Sequence, residues 1–153
     1  RLFERDYEDG ALDLLVHSSL PLELTCALKC FGQWLAVGAP LAVIAPVAAI
    51  ALGARMELAP LLLACALVGS LAFAFTGGIG AALSLGARRG GLLTAVIVLP
   101  LFVPPVIFGG GAIDAFAGHL PWRSGFTLLG AYAAAAVALG PAAMAAACRN
   151  ALS

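Results

Sequence analysis

Residues 58–86 form the run LAPLLLACALVGSLAFAFTGGIGAALSLG, which contains no Asp, Glu, Lys or Arg. A helix needs about 20 predominantly apolar residues to cross the hydrocarbon core of a bilayer, and this run is longer. A strand of a membrane β-barrel has about 10 residues of alternating polarity, which this run does not match. The run therefore predicts a transmembrane α-helix.

Charged residues are scarce along the rest of the chain as well. They make up 10% of the 153 residues, and the mean hydropathy is +1.06. Ordinary soluble domains carry about 25% charged residues, so a water-facing surface could not be built from this composition. The sequence predicts an all-α, polytopic transmembrane helical bundle. Its four predicted spans lie at roughly 31–53, 58–86, 91–113 and 126–148.

Basic residues near the span ends predict the orientation of the bundle. With an even number of spans, the leading segment, the loop at 87–90 and the C-terminus lie on the same side. That side carries Arg1, Arg5, Lys29, Arg88, Arg89 and Arg149, and the other side carries Arg55 and Arg123. Because cytoplasmic loops are enriched in Lys and Arg, the leading segment is predicted to be cytoplasmic.

Residues 1–29 are predicted to form a cytoplasmic segment ahead of a membrane domain at 30–153. Three basic and six acidic side chains give this segment a net charge of −3. Within it, residues 3–17 predict an amphipathic helix with one apolar and one acidic stripe. Pro21 then suits the first turn of a new helix, where Glu23 would lie near the positive end of the helix dipole.

Two interpretations of the amphipathic helix are open. A helix that rests on anionic headgroups is normally rich in Lys and Arg, whereas this one is acidic. Docking onto another protein, as a cytoplasmic coupling helix, is therefore favoured over a passive position on lipid. The predicted partner-coupling residues are Asp6, Tyr7, Glu8, Asp9, Gly10, Leu12, Asp13, Leu14, Leu15, Pro21 and Glu23.

The predicted spans contain no Asp, Glu, Lys, Arg or His, residues that ion-coupled transporters and pumps place at membrane depth. The sequence also lacks a phosphate-binding loop, because its lysine, Lys29, follows Leu28 rather than Gly. The motifs His-Glu-x-x-His and Gly-x-Ser-x-Gly are absent, so an enzyme is disfavoured. Energy for uphill transport would have to come from another chain.

Few residues suggest a bound metal or cofactor. Cys26, Cys30, Cys65 and Cys148 are expected to be reduced thiols that pack as small apolar side chains, with no metal bound. In the outer loop, His119 and Trp122 are candidates for contact with heme, with His119 as an iron ligand. Interfacial anchoring of this loop is the favoured alternative.

Pro100, Pro104 and Pro105 precede three glycines in the third predicted span. Proline removes a backbone donor and crowds the preceding turn, so a kink or break is expected here. A packed kink is favoured over a broken helix that lines a substrate path.

Several stretches resemble a known family. The run EDGALDLLVHSSLPLELTCALK at 8–29 resembles the cytoplasmic segment of type-2 ABC exporter permeases. RDYEDGALDLL, LPLEL, GGIGAALSLGARRGGLL and LPLFVPPVIFGGGAIDA are similar to heme exporter protein B of cytochrome c maturation. Ser19 and Gln33 depart from the family pattern, where Pro and His are common.

The resemblance implies an ABC permease subunit, not an enzyme, in a multi-pass position in the bacterial inner membrane. It implies six spans in the full-length chain, two of them before Arg1, so that this chain would be N-terminally truncated. The implied partners are a separate ATP-binding subunit on the cytoplasmic face, other cytochrome c maturation membrane proteins and lipid, with no nucleic acid. Heme would be a substrate rather than a bound cofactor. A non-transporting scaffold for heme-handling proteins is the alternative.

Overall fold

The computed structural model describes Asp9 and residues 21–85 and 91–152, and within these residues it is helical, without strands. The helices are α1 (Leu22–Gln33), α2 (Ala39–Ala51), α3 (Ala59–Leu85), α4 (Gly91–Ala117) and α5 (Arg123–Leu152). A π-helical turn at Trp34–Gly38 joins α1 to α2, and a 3-10 turn at Met56–Leu58 precedes α3.

Four stretches of the described part are long and apolar enough to cross a membrane, which confirms the predicted all-α polytopic bundle. They are Leu22–Ala51, Met56–Leu85, Val98–Ala117 and Arg123–Ala151. The first stretch begins at Leu22, whereas the predicted span begins at residue 31. The prediction began after Lys29 because this charge borders the uncharged run, but the helix continues through Lys29. The division of the chain at residue 30 and the six-span full-length chain stay predictions, and the amphipathic helix at 3–17 lies outside the described residues.

The central element is α3, which contacts all four other helices. Lipid tails are as apolar as Leu side chains, so helices in a membrane associate through close packing, which small residues permit. At Gly78, an added Cβ would lie 2.5 Å from Cys30 Sγ and 2.7 Å from Met144 Sδ. At Gly80, it would lie 3.0 Å from a methyl group of Val98. The run GGIG is therefore a helix-packing surface.

The π-helical turn between α1 and α2 is fixed by one aromatic side chain. Trp34 Nε1 donates a hydrogen bond to Ser70 Oγ at 2.9 Å, and Ser70 Oγ donates to the Leu67 carbonyl at 3.0 Å. A Cβ on Gly38 would lie 2.6 Å from Trp34 Cδ1, so glycine leaves the space that the indole occupies. The hydrogen bond from Trp34 thus attaches the first membrane-crossing stretch to α3.

The helix α4 is continuous from Gly91 to Ala117, so it is not broken at its three prolines, and the favoured packed kink stays a prediction. Pro105 lacks the N–H that would bond to the carbonyl of Leu101 in a regular helix. Tyr132 of α5 supplies a donor to that carbonyl instead. A hydroxyl from a neighbouring helix therefore satisfies the carbonyl that Pro105 leaves free, as neighbours do for proline-containing membrane helices.

Candidate functional site

The start of α1 follows the predicted coupling segment in the chain and lies on the predicted cytoplasmic side. Pro21 occupies the N-cap position with an extended ψ of 134°, and α1 begins at the next residue. The Pro21 carbonyl accepts hydrogen bonds from the backbone N–H groups of Leu24 at 2.9 Å and Thr25 at 3.3 Å. Pro21 therefore stands directly before the first turn rather than within it, and it fixes the point at which the leading segment becomes α1.

An ion pair joins this end of α1 to the end of α5. Arg149 Nη2 donates to Glu23 Oε1 at 2.7 Å, with the two side chains 56% and 38% exposed. Glu23 lies in the first turn of α1 and Arg149 in the last turn of α5, where each charge is favourable with its helix dipole. Water screens such an exposed pair, so it contributes little to the free energy of unfolding. Its main effect is to align the two helix ends.

A layer of sulfur atoms lies beneath the ion pair. Cys26, Cys30, Met144 and Cys148 belong to one buried cluster, and the Cys30 thiol donates to Met144 Sδ at 3.4 Å. All of these side chains are at most 1% exposed. Within the described ranges, no group of three or more His, Cys, Asp or Glu residues could hold a metal ion. These soft, polarizable side chains fill the contact between α1, α3 and α5.

Three predicted coupling residues fall within the described part of the chain. Asp9 is exposed in a turn, and Pro21 and Glu23 have the positions given above. The other predicted coupling residues lie outside the described residues, and their role stays a prediction. They are Asp6, Tyr7, Glu8, Gly10, Leu12, Asp13, Leu14 and Leu15.

Two apolar clefts flank α4 within the membrane. One cavity of about 320 Å³ lies between α2, α3 and α4, with Gly109 and Gly110 in its wall. A second, of about 240 Å³, lies between α3, α4 and α5 and is lined in part by Thr76 and Tyr132. The proline-containing helix α4 therefore has an apolar groove on each side of its contact with α3.

The two candidate heme residues, in the loop between α4 and α5, have different surroundings. His119 has a positive φ of 57° and an exposed side chain, and its N–H donates to the Phe116 carbonyl at 3.1 Å. Trp122 is partly buried, with its ring centroid 6.0 Å from that of Phe116 and 6.2 Å from that of Phe126. Trp122 thus packs into an aromatic cluster, whereas His119 ends a turn. Their role toward heme stays a prediction.

Arg55, between α2 and α3, contacts the end of α4. Its Nη2 donates to the carbonyl of Ala117, the last residue of α4, at 2.6 Å. A cation at this position satisfies a terminal carbonyl and is favourable with the negative end of the helix dipole. Apart from the position of Arg55 between two predicted spans, no sequence pattern predicts this contact.

Comparison with known proteins assigns the family. A family model described as CcmB protein matches residues 1–151. Heme exporter protein B of Bradyrhizobium diazoefficiens is 44% identical over 153 residues, which cover 99% of this chain and 69% of the relative. The protein of the same name from Paracoccus denitrificans is 44% identical over 97% of this chain and 68% of its own. That of Escherichia coli is 38% identical over the same shares. The chain belongs to the CcmB protein family.

Proposed function

We propose that this chain is the membrane permease subunit of an ABC-type heme exporter that acts in c-type cytochrome biogenesis. The observation that carries the proposal is the similarity to three relatives named heme exporter protein B. They are 37–44% identical to this chain, and each alignment covers at least 97% of it. The four membrane-crossing stretches fit a permease. The bacterial origin of these relatives places the chain in the bacterial inner membrane as a multi-pass protein.

The energy for transport would come from a separate ATP-binding subunit on the cytoplasmic face. The 153 residues contain no phosphate-binding loop, and their acidic side chains are concentrated in residues 1–29. An acidic amphipathic segment has the chemistry to dock into a basic or apolar groove of a partner protein. This segment would therefore be the docking site through which the ATP-binding subunit acts on the bundle.

The contacts at the cytoplasmic end supply a route for such a movement. A displacement of the leading segment would reach α1 at Pro21 and would act on the Glu23–Arg149 ion pair. The close approach of Cys30 to Gly78 would pass the same displacement to the central helix α3. From there, α3 contacts α4, which has clefts on both sides.

Charge reversal tests the docking role. We expect that changing Glu8, Asp9 and Asp13 to Lys together abolishes copurification with the ATP-binding subunit. The leading segment would then repel a basic surface that is complementary to its native acidic side chains. The matched control is Glu57→Lys with Asp114→Lys, which changes exposed carboxylates on the predicted outer side. Undiminished ATPase binding by the triple variant, with normal cytochrome c maturation, would argue against docking.

A hydrolysis-dead ATP-binding subunit separates a permease from a passive scaffold. Under the proposed function, the complex still assembles but cytochrome c maturation stops, because no work reaches the membrane bundle. Heme delivery to c-type cytochromes is then measured in cells that carry the inactive ATPase. Maturation at the normal rate in those cells would contradict a role in ATP-driven export.

A further inference from the structure

Two facing pairs of sulfur atoms lie between α1 and α5. Cys26 and Cys30 are four residues apart and share one face of α1, and Met144 and Cys148 share one face of α5 in the same way. Cys30 lies against Met144, where its thiol donates to Sδ at 3.4 Å. One turn nearer the predicted cytoplasmic side, the Cys26 thiol donates a hydrogen bond to the Cys148 sulfur. The packing of α1 on α5 therefore brings two thiols from distant parts of the chain into direct contact.

The two pairs differ in the chemistry that they allow. Met144 carries a thioether, which has no proton to lose and cannot join Cys30 in a disulfide. Cys26 and Cys148 are both unbridged thiols. A disulfide needs Cα atoms about 4.4–6.8 Å apart, and the contact between α1 and α5 brings Cα atoms of the two helices within 8 Å of each other. Rotation of the two side chains with a small shift of the helices is enough to bring the sulfur atoms to bonding distance.

The Cys26–Cys148 pair is buried, but it lies next to the surface of the bundle. Its side chains are 1% and 0% exposed. Glu23, one turn before Cys26, and Arg149, next to Cys148, are exposed and form the ion pair described above. Because water screens an exposed ion pair, the pair is weak and opens transiently. Each opening gives a small water-soluble oxidant access to the thiols.

We propose that Cys26 and Cys148 are a redox switch, in which a hydroperoxide oxidises the two thiols to a disulfide that locks the start of α1 to the end of α5. The thiolate of one cysteine attacks an oxygen of the peroxide, the O–O bond breaks, and a sulfenic acid forms as water or an alcohol leaves. The sulfur of the other cysteine then attacks the sulfenic sulfur. The S–S bond forms, the S–O bond breaks, and the hydroxyl leaves as water with the second thiol's proton.

The electrons and the reverse reaction are accounted for by ordinary thiol chemistry. The two cysteines lose two electrons, and the peroxide gains them. Small cellular thiols reduce the bond again by thiol–disulfide exchange. Disulfides of proteins in reducing compartments are usually transient and respond to oxidants, which agrees with a pair on the predicted cytoplasmic side.

The effect of the disulfide on transport rests on the proposed function, whereas its formation does not. In the proposed function, a displacement of the leading segment enters the bundle at Pro21, five residues before Cys26. A covalent link to α5 opposes this displacement. Oxidation would therefore slow export while the ATP-binding subunit stays bound.

Peroxide treatment of the full-length protein in its native membrane tests the disulfide directly. The membranes are exposed to hydrogen peroxide, the remaining thiols are blocked with N-ethylmaleimide, and the protein is digested without reduction for mass spectrometry. We expect a linked peptide pair that contains Cys26 and Cys148 and that disappears after treatment with dithiothreitol. Absence of this pair overturns the proposal, as does sulfinic acid at either cysteine in its place.

Single substitutions test the pairing. We expect Cys26→Ala and Cys148→Ala each to abolish the link, which is counted by tagging the released thiols with a maleimide polymer and measuring the gel shift. Cys65→Ala is the matched control, because Cys65 is equally buried but belongs to a separate cluster with Leu61. A link that persists in Cys148→Ala, or one that is lost in Cys65→Ala, overturns the pairing. The measurement on the unmodified protein does not depend on how well any variant folds.

Cytochrome c maturation after a pulse of hydrogen peroxide tests the regulatory effect. We expect the maturation rate to fall in proportion to the linked fraction in cells with the unmodified chain, and to fall less in cells with Cys148→Ala. The ATP-binding subunit should copurify equally from both. An equal fall in both strains overturns the switch. Failure of the proposed function is distinguishable, because maturation would then not depend on this chain even before the pulse.

Discussion

The hydroxyl of Tyr132 in α5 donates a hydrogen bond of 2.5 Å to the carbonyl of Leu101 in α4. Leu101 lies four residues before Pro105, so this carbonyl is the one that the proline leaves without an amide partner. Water cannot replace the missing partner inside a membrane. One phenol therefore satisfies the carbonyl that Pro105 leaves free and links α4 to its neighbour.

Removal of this hydroxyl should destabilise the bundle. We expect Tyr132→Phe to lower the free energy of unfolding by about 0.6 kcal/mol, the average for interhelical hydrogen bonds in a membrane, and by at most about 1.7 kcal/mol. Unfolding in mixed micelles with increasing denaturing detergent measures the change. Thr127→Val is the control, because the Thr127 hydroxyl bonds to the Ser124 carbonyl within α5. Equal stability of Tyr132→Phe and the unmodified chain would contradict this role of the phenol.

Restoration of the amide should make the phenol less important. In Pro105→Ala, residue 105 regains an N–H that can bond to the Leu101 carbonyl within α4. We therefore expect Tyr132→Phe to cost less in the Pro105→Ala background, with an interaction free energy of at least about 0.5 kcal/mol in the double-mutant cycle. Additive effects of the two substitutions would show that the hydroxyl and the proline act independently.

The close contact at Gly78 predicts a large effect of a single methyl group. Gly78→Ala would place Cβ 2.5 Å from Cys30 Sγ and 2.7 Å from Met144 Sδ, so we expect a loss of about 1–3 kcal/mol in the free energy of unfolding. Gly130→Ala is the matched control, since nothing lies within 4 Å of its added Cβ. Its stability should stay the same or rise. If both variants behave alike, α1 and α5 do not pack closely on α3.

The fold of this chain was more predictable than its contacts. The uncharged run at 58–86 predicts a membrane helix because length and apolarity alone decide that outcome. The prolines of α4 predict a kink or a break, and only the break is excluded by the continuous helix. The donor to the carbonyl that Pro105 leaves free comes from another helix, and no spacing in the sequence points to Tyr132. For the same reason, Glu23 could be placed at a helix start, whereas its ion pair with Arg149 depends on how α1 and α5 pack.

The outer contact of Arg55 predicts a modest effect on α4. Arg55→Gln removes the cation that donates to the Ala117 carbonyl, and we expect a loss of about 0.3–1 kcal/mol in the free energy of unfolding. Arg123→Gln serves as the control. Arg123 starts α5, where a positive charge is unfavourable with the helix dipole, so its removal should be neutral or slightly stabilising. A greater loss for Arg123→Gln would contradict this assignment of charges to helix ends.

The Glu23–Arg149 ion pair predicts a charge-swap rescue that needs no assumption about function. Glu23→Arg or Arg149→Glu alone would place like charges at the 2.7 Å contact and push the ends of α1 and α5 apart. The thiols of Cys26 and Cys148 beneath the pair are 1% and 0% exposed, so their maleimide labelling rate reports this opening. We expect faster labelling in each single variant and a slower rate again in the double variant, because the swapped pair restores the attraction. The recovery should be incomplete, since each swapped charge is unfavourable with its helix dipole. Labelling that is as fast in the double variant as in the single ones would show that the pair does not hold these helix ends together.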